Sequence, residues 1–351
     1  MEKVAIYLNS LSRGGAEHVS IILAEYLANH NTECVLITSN TANEEYKVPN
    51  KVRRISLNNE KSFLRKIIIL RKIIKKEKIQ KILIMDTPGC LYAIPATFNL
   101  KIKKIVSERN DPHNFSGKKI VKVMSRLLMK RADGFVFQTE DAKKYYQKIL
   151  KDRGVVIYNP LISKKIPIRD ENRIECNIVS VGRLTAQKNQ KMLITAFSKI
   201  CGKFPQYTLT IYGEGPLRKE LTSYIKELNL EKRILLAGNK ENVIDLIKNA
   251  SFFVLTSNYE GMPNALIEAM AIGIPSISTD CPCGGPRTLI THMKNGILIP
   301  VDDVNSLKET LEYCIQNKKI MIKIGHESTK IKAKLDMKKI CKQWYEYIKS
   351  I

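Results

Sequence analysis

The chain opens on a five-residue apolar run, Val4 to Leu8, and passes through Ser10-Leu11-Ser12-Arg13-Gly14-Gly15-Ala16-Glu17 into Val19, Ile22, Leu23, Tyr26 and Leu27, which recur at helical spacing. That order reads as strand, glycine turn, helix. Further apolar runs lie at 34–38, 82–85, 102–107 and 134–138, with helical spacing between them. Such alternation predicts a parallel sheet joined by crossover helices. After Tyr158-Asn159-Pro160 a polar, proline-containing stretch (163–173) interrupts the period like a linker, and the pattern then restarts. Its second set of strands is expected at 177–181, 208–212, 233–237, 252–256, 275–278 and 296–299. The last segment places Trp344, Tyr345 and Ile348 at helical spacing with no strand after it, so it must pack elsewhere, and the first domain offers one place. The expected organisation is therefore an α/β domain at 1–165, a second at 166–333 and a closing helix at 334–351.

Composition narrows the class. With 351 residues, 44% hydrophobic and 26% charged, the chain suits two globular domains and excludes a disordered or fibrous protein. No apolar run approaches the ~18–20 residues that a spanning helix needs, so none is expected to cross a bilayer. The start, with an acid at Glu2, lacks the charged region and long apolar centre of a signal peptide. The eight cysteines, at 34, 90, 176, 201, 281, 283, 314 and 341, contain no C-x-x-C pair, so reduced thiols and a cytoplasmic setting are expected.

Charge is the unusual feature. The formal net charge is +25, of which residues 1–165 carry +17. Solvated lysine faces are the plain explanation; a field of this sign also draws anionic lipid, nucleic acid or phosphorylated substrates. Two segments concentrate it. Residues 61–81 hold nine basic residues and one acid, with Phe63, Ile67, Leu70 and Ile74 on one stripe and Leu64 and Ile68 alongside. Residues 118–130 space Lys118, Lys122, Arg126 and Lys130 four apart, beside Val121, Met124 and Leu128. A helix flanking a sheet also needs an apolar stripe, yet the excess of cations points to an anionic membrane surface.

Candidate chemistry gathers where parallel sheets bind ligands, beyond the carboxyl ends of the strands. Gly14-Gly15 removes side chains where the chain enters a helix, which opens backbone N–H groups to an anion. A G-x-G-x-x-G dinucleotide fingerprint is absent there. Ser180-Val181-Gly182-Arg183-Leu184 with Lys188 sets a planar fork and a mobile ammonium after a strand, a pairing suited to a diphosphate. In Asn258-Tyr259-Glu260-Gly261-Met262-Pro263-Asn264-Ala265-Leu266-Ile267-Glu268, Pro263 suits a first helical turn. The N–H groups of Asn264, Ala265 and Leu266 would then face a phosphate, and Glu260 and Glu268 would accept hydrogen bonds from neutral hydroxyls.

Gly14-Gly15-Ala16-Glu17, Val181-Gly182-Arg183-Leu184 with Lys188, Tyr212-Gly213-Glu214-Gly215-Pro216-Leu217, and Glu260 with Glu268 together resemble the retaining glycosyltransferases of family 4, which have the GT-B fold. The resemblance runs in order from about residue 4 to 310. It implies two Rossmann-like domains whose parallel sheets face a central cleft. It also implies that Gly14 and Gly15 line the diphosphate, that Arg183 and Lys188 neutralise it, that Glu260 holds donor-sugar hydroxyls, and that Glu268 holds the ribose. The base would stack at 239–243, beginning with Asn239. Glu108-Arg109-Asn110-Asp111-Pro112-His113 resembles the segment that carries a sugar-contacting histidine, here His113. The implied reaction moves a sugar, with retention, from a nucleotide diphosphate to a glycan or polyprenyl-diphosphate-linked acceptor in surface polysaccharide synthesis. A UDP-sugar is the expected donor, with GDP-mannose open, and the expected place is the cytoplasmic face of the cell membrane.

No D-x-D occurs, so neither a metal nor another cofactor is expected, and cationic side chains with a helix end must stabilise the diphosphate. Cys281-Pro282-Cys283 has no matching pair to complete a metal site, and Thr288 stands where the family often has an acid, which leaves that loop unassigned. Two alternatives stay open. A nucleotide-sugar epimerase shares the architecture, and a nucleic-acid-binding protein would account for the charge. Against the latter stand 7% aromatics and no aromatic-basic patch.

Overall fold

A computed structural model describes residues 2–12, 14–42, 44–114, 118–150 and 153–351. The chain divides into two compact units, Met1–Pro160 with Met337–Ile351, and Leu161–Asp336. The positions 165 and 333, expected as domain ends, both lie inside the second unit. There the Leu161 N–H donates to the Leu335 carbonyl at 2.8 Å and Leu161 pairs with Asp336.

The first unit holds a parallel sheet of β1 (Glu2–Leu8), β2 (Thr32–Thr38), β3 (Arg53–Ser56), β4 (Lys81–Ile84), β5 (Lys103–Glu108), β6 (Gly134–Phe137) and β7 (Gly154–Val156), in the order β3-β2-β1-β4-β5-β6-β7. Its central strands are apolar on both faces because helices cover both. In β1, Ile6 pairs with Leu36 on one side and Leu83 on the other, all three buried. The outermost strands, β3 and β7, left no sequence signal: Arg53-Arg54-Ile55-Ser56 is largely exposed, and β7 has three residues. A strand with one neighbour need not be apolar.

The helix Met337–Ser350 completes this unit. It buries Ile340, Cys341, Trp344 and Ile348, three of which join the core around Val4, Ile6, Leu23 and Leu36. Lys81 Nζ donates to the Ile348 carbonyl at 2.7 Å, a cation on the negative end of that helix, and pairs with Glu2 at 2.9 Å.

The second unit repeats the plan with β8 (Glu175–Val181), β9 (Thr208–Tyr212), β10 (Ile234–Gly238), β11 (Ala250–Leu255), β12 (Ser276–Thr279) and β13 (Ile297–Ile299), all parallel, in the order β10-β9-β8-β11-β12-β13. Its core gathers Ile178, Leu193, Phe197, Leu209, Val254, Ile277 and Leu311. In each sheet the strand order reverses beside its first strand, between β1 and β4 and between β8 and β11. Loops leave such a point in opposite directions and open a crevice at the carboxyl ends.

Candidate functional site

In the second unit the loops after β8 and β9 are pressed backbone to backbone. The Gly182 N–H donates to the Tyr212 carbonyl at 2.9 Å and the Gly213 N–H to the Gly238 carbonyl at 2.9 Å. Gly213 has φ +136°, and a Cβ there would lie 2.1 Å from the Gly182 carbonyl oxygen; one on Gly215 would lie 2.4 Å from that of Leu184. No side chain fits these positions, so the glycines of Gly213-Glu214-Gly215 serve close approach.

Lys188 lies over Gly182, where an added Cβ would meet its Cε at 3.3 Å. Its Nζ is paired with Glu260 Oε1, the same oxygen that accepts from Ser257 Oγ at 2.6 Å. The loops carrying this pair are stitched together. Asn258 N–H donates to the Gln187 carbonyl at 2.8 Å, Gln187 Nε2 to the Tyr259 carbonyl at 3.0 Å, and Thr256 Oγ1 to the Lys188 carbonyl at 3.0 Å. Arg183 differs from Lys188: its guanidinium is exposed and bonds nothing among the described residues, while its carbonyl accepts from Gln190 Nε2 at 2.8 Å.

The helix Asn264–Ile272 follows, with Pro263 at its cap, a residue that gives that end no side-chain hydrogen bond. Its first backbone acceptor is Pro263, which takes the Ile267 N–H at 3.2 Å, and the N–H groups of Ala265 and Leu266 have no acceptor among the described residues. Asn264 and Ala265 are partly exposed and Leu266 is buried. Glu268 keeps partial solvent contact, yet burial pushes its carboxyl up to about 7. Asn239 stands exposed directly after β10. The loops after β11 and β12 also touch, since a Cβ on Gly285 would fall 1.5 Å from the Gly261 carbonyl oxygen. Cys281 and Cys283 are buried there, and burial pushes the Cys281 thiol up to about 12. Among the described residues no three His, Cys, Asp or Glu side chains gather as metal ligands.

In the first unit, Gly14 precedes the helix Gly15–Ala28 without a side-chain cap, and a Cβ on it would meet Glu17 Oε2 at 2.4 Å. After β5 the chain turns through 108–114. Glu108 is saturated: Thr87 Oγ1 donates at 2.5 Å, Tyr146 OH at 3.0 Å, and the N–H groups of Arg109 and Asn110 at 3.1 and 3.2 Å. Burial raises its pKa, and the bonds from Thr87, Tyr146 and the Asn110 N–H oppose the rise. Asp86, two residues past β4, is pushed by burial up to about 6 while it accepts from the Gly89 N–H at 2.6 Å. His113 is exposed and bonded to Asp111.

The structure thus brings Gly182, Lys188, Glu260 and Ser257 together and sets Arg183 free beside them. Sequence reasoning missed Ser257, because a serine after a strand carries no pattern. It also left Arg109 without a role. The Arg109 Nη2 donates to Asn159, its Nε and Nη1 are buried without a partner among the described residues, and burial lowers its pKa to about 9. Only the end-to-end run Glu108-Arg109 hinted at this, and adjacent charges are common on surfaces.

Residues 161–331 match the family model of glycosyl transferases group 1, and residues 13–162 match that of glycosyltransferase family 4. An uncharacterized glycosyltransferase of Haemophilus influenzae is 27% identical over 98% of this chain and 99% of its own. A Campylobacter jejuni enzyme, N-acetylgalactosamine-N,N'-diacetylbacillosaminyl-diphospho-undecaprenol 4-alpha-N-acetylgalactosaminyltransferase, is 28% identical over 99% of this chain and 100% of its own. Among solved structures, Anabaena HepE in complex with UDP and glucose superposes with a TM-score of 0.86 at 18% identity, over the full length of both chains. With both units matched in sequence and the whole chain matched in fold, this protein belongs to glycosyltransferase family 4 and has the two-domain GT-B architecture.

Proposed function

We propose that this protein transfers a sugar from a UDP-linked donor, with retention at the anomeric carbon, to a polyprenyl-diphosphate-linked glycan. The observation that carries the reading is the array of Arg183, Lys188, Glu260 and the open start of the helix Asn264–Ile272, set at the carboxyl ends of β8 and β11. Arg183, Lys188 and the helix N–H groups stabilise the charge that develops on the departing diphosphate, each well-aimed donor contributing about 3–4 kcal/mol. Glu268 takes a ribose hydroxyl, and Glu260 takes a hydroxyl of the donor sugar.

Glu260 is ill suited to act as a nucleophile, because one of its oxygens already accepts from both Lys188 and Ser257. In the step we propose, the acceptor hydroxyl oxygen bonds to the anomeric carbon on the face from which the diphosphate leaves, and the hydroxyl proton passes to the departing phosphate oxygen. The names of two Campylobacter jejuni relatives support retention, since both describe alpha-linked transfer onto undecaprenyl-diphosphate glycans. HepE has been crystallised with UDP and with UDP-glucose, which supports uracil as the base.

A lipid-borne acceptor places the reaction at a membrane face, and the first unit has a surface suited to it. On the helix Phe63–Lys76, Leu64 is 68% exposed and Ile68 52%; on Lys119–Met129, Ile120 is 65% exposed and Leu127 51%. Between these helices packs Cys90–Ala96, followed by the exposed Phe98. No helix among the described residues is long and apolar enough to cross a membrane. The test is incubation of purified protein with α-linked UDP-sugars and short-chain polyprenyl-diphosphate glycans, the product anomer being read by NMR. An α-linked product supports the proposal, a β-linked product overturns retention, and release of a free sugar epimer without acceptor shifts the reading to an epimerase.

A further inference from the structure

His113 is an exposed histidine held as though it were buried. Its side chain is 60% exposed, while that of Asp111, its partner, is 0% exposed. Asp111 Oδ1 accepts from both the backbone N–H and the Nδ1 of His113, each at 3.0 Å, and Oδ2 accepts from Asn114 Nδ2 at 2.6 Å. The imidazole meets the ring of Tyr145 edge-on at 4.4 Å. Tyr145 is fixed in turn by Arg126, whose guanidinium lies 4.8 Å over the ring, bonds its hydroxyl and donates to the Pro112 carbonyl at 2.8 Å. Lys122 Nζ takes the His113 carbonyl at 2.9 Å.

A solvated histidine without a task needs none of these constraints. A carboxylate has no proton to give, so the Nδ1 facing Asp111 must carry one, and in the neutral ring Nε2 is then left as an acceptor. A buried acceptor that fixes the tautomer of an exposed imidazole is the arrangement that makes the opposite nitrogen a directed hydrogen-bond acceptor.

We propose that Asp111 is a positioning residue, which holds His113 in the Nδ1–H form so that Nε2 accepts a hydrogen bond from a sugar hydroxyl. This rests on the sugar-transfer reading, and the ligand chemistry is a hydroxyl donor on either the donor sugar or the acceptor sugar. Arg126, Tyr145 and Lys122 form the frame, and Asp111 sets the tautomer.

The experiment uses the full chain with 15N-labelled imidazoles. His113 should show the shifts of an Nδ1–H tautomer, and Asp111→Ala or Asp111→Asn should lose that signature while the chain stays folded at the measuring temperature. With the UDP-sugar and short-chain polyprenyl-diphosphate glycan as probes, His113→Ala should lower kcat/KM about tenfold or more. Asp111→Asn should lower it comparably, and the double variant should fall no further. A selective rise in KM for the nucleotide sugar assigns the hydroxyl to the donor, and one for the glycan assigns it to the acceptor. An unchanged tautomer in both Asp111 variants overturns the proposal, as does a double variant whose loss is the product of the two single losses. The tautomer arm requires no turnover, so a protein that transfers nothing removes the transfer reading while the spectrum still decides the role of Asp111.

Discussion

Lys188 and Glu260 meet as an ion pair across the switch point of the second unit, one from the loop after β8 and one from the loop after β11. Sequence reasoning gives them separate tasks, the lysine on phosphate and the glutamate on sugar. The pair makes those tasks interdependent. With side-chain exposures of 17% and 8%, neither charge is well hydrated, and removal of one leaves the other buried and unpaired at a cost of about 3–5 kcal/mol. We expect Lys188→Ala to weaken binding of bare UDP and to lower the melting temperature, and Glu260→Ala to lower it comparably while sparing UDP affinity. Calorimetric titration with UDP and with the UDP-sugar decides this. Equal loss of bare UDP binding in both variants would contradict the division of labour.

Arg183 offers the contrast. Its guanidinium is exposed and unpartnered among the described residues, so stability has nothing to lose. Arg183→Ala should leave unfolding free energy within about 0.5 kcal/mol of wild type while turnover falls at least about tenfold. Arg183→Lys should recover only part of it, because a point charge does not replace a fork. Full turnover in Arg183→Ala would remove this residue from the site.

Glu268 predicts a pH effect. Burial raises its carboxyl from the usual 4.5 to about 7 in the folded chain. The folded state therefore holds the proton more tightly than the unfolded state, so the contribution is fully present below about pH 4.5 and is lost as pH rises through about 7. Glu268→Gln cannot ionise and should flatten the dependence of melting temperature on pH between 5 and 8. At pH 8 the variant should gain on the order of 1 kcal/mol, about 2–4 °C, after allowance for the partial exposure of the side chain. The same change should weaken UDP. Parallel melting curves for the two proteins across that range would exclude the assignment.

Where strands are buried on both faces, as in β1, β4 and β11, continuous apolar runs made them legible, and the glycine turns marked where loops end. The sequence could not reveal that Gly213 and Gly285 are glycines because another backbone lies against them, since the partner loops are distant in sequence. Nor could it reveal that Ser257 bonds Glu260, or that Asp111 orients His113, because neither contact leaves a periodic pattern. The stripe Phe63, Ile67, Leu70 and Ile74 was legible as a stripe, but its division was not: Leu70 and Ile74 enter the core and Phe63 does not.

That division bears on the membrane surface and on the choice of cations that test it. Four-residue spacing groups Lys118, Lys122, Arg126 and Lys130 alike. Arg126 bonds Pro112 and Tyr145, and Lys122 bonds His113, so a glutamate at either position would disturb the turn that carries His113. Lys66 and Arg71 are likewise engaged, with Asn40 and with the carbonyls of Ala96 and Phe98. The side chains of Lys72, Lys75, Lys118, Lys119 and Lys130 are exposed and bond nothing among the described residues, and they lie on or beside the two helices that carry the exposed apolar side chains. A second copy of this face would bring like charges together, whereas anionic headgroups would meet the cations as the aliphatic tips enter the interface. Each cation near such a surface contributes about 1 kcal/mol. We therefore expect the protein to co-sediment with phosphatidylglycerol vesicles and not with phosphatidylcholine vesicles. The triple change Lys72→Glu, Lys119→Glu and Lys130→Glu reverses three charges and should lower the partition coefficient at least about a hundredfold. Ile120→Ser with Leu127→Ser should weaken binding even at a salt concentration that screens the charges. Equal sedimentation with both vesicle types at low salt would remove the surface from the proposal and leave the transfer chemistry of the second unit intact.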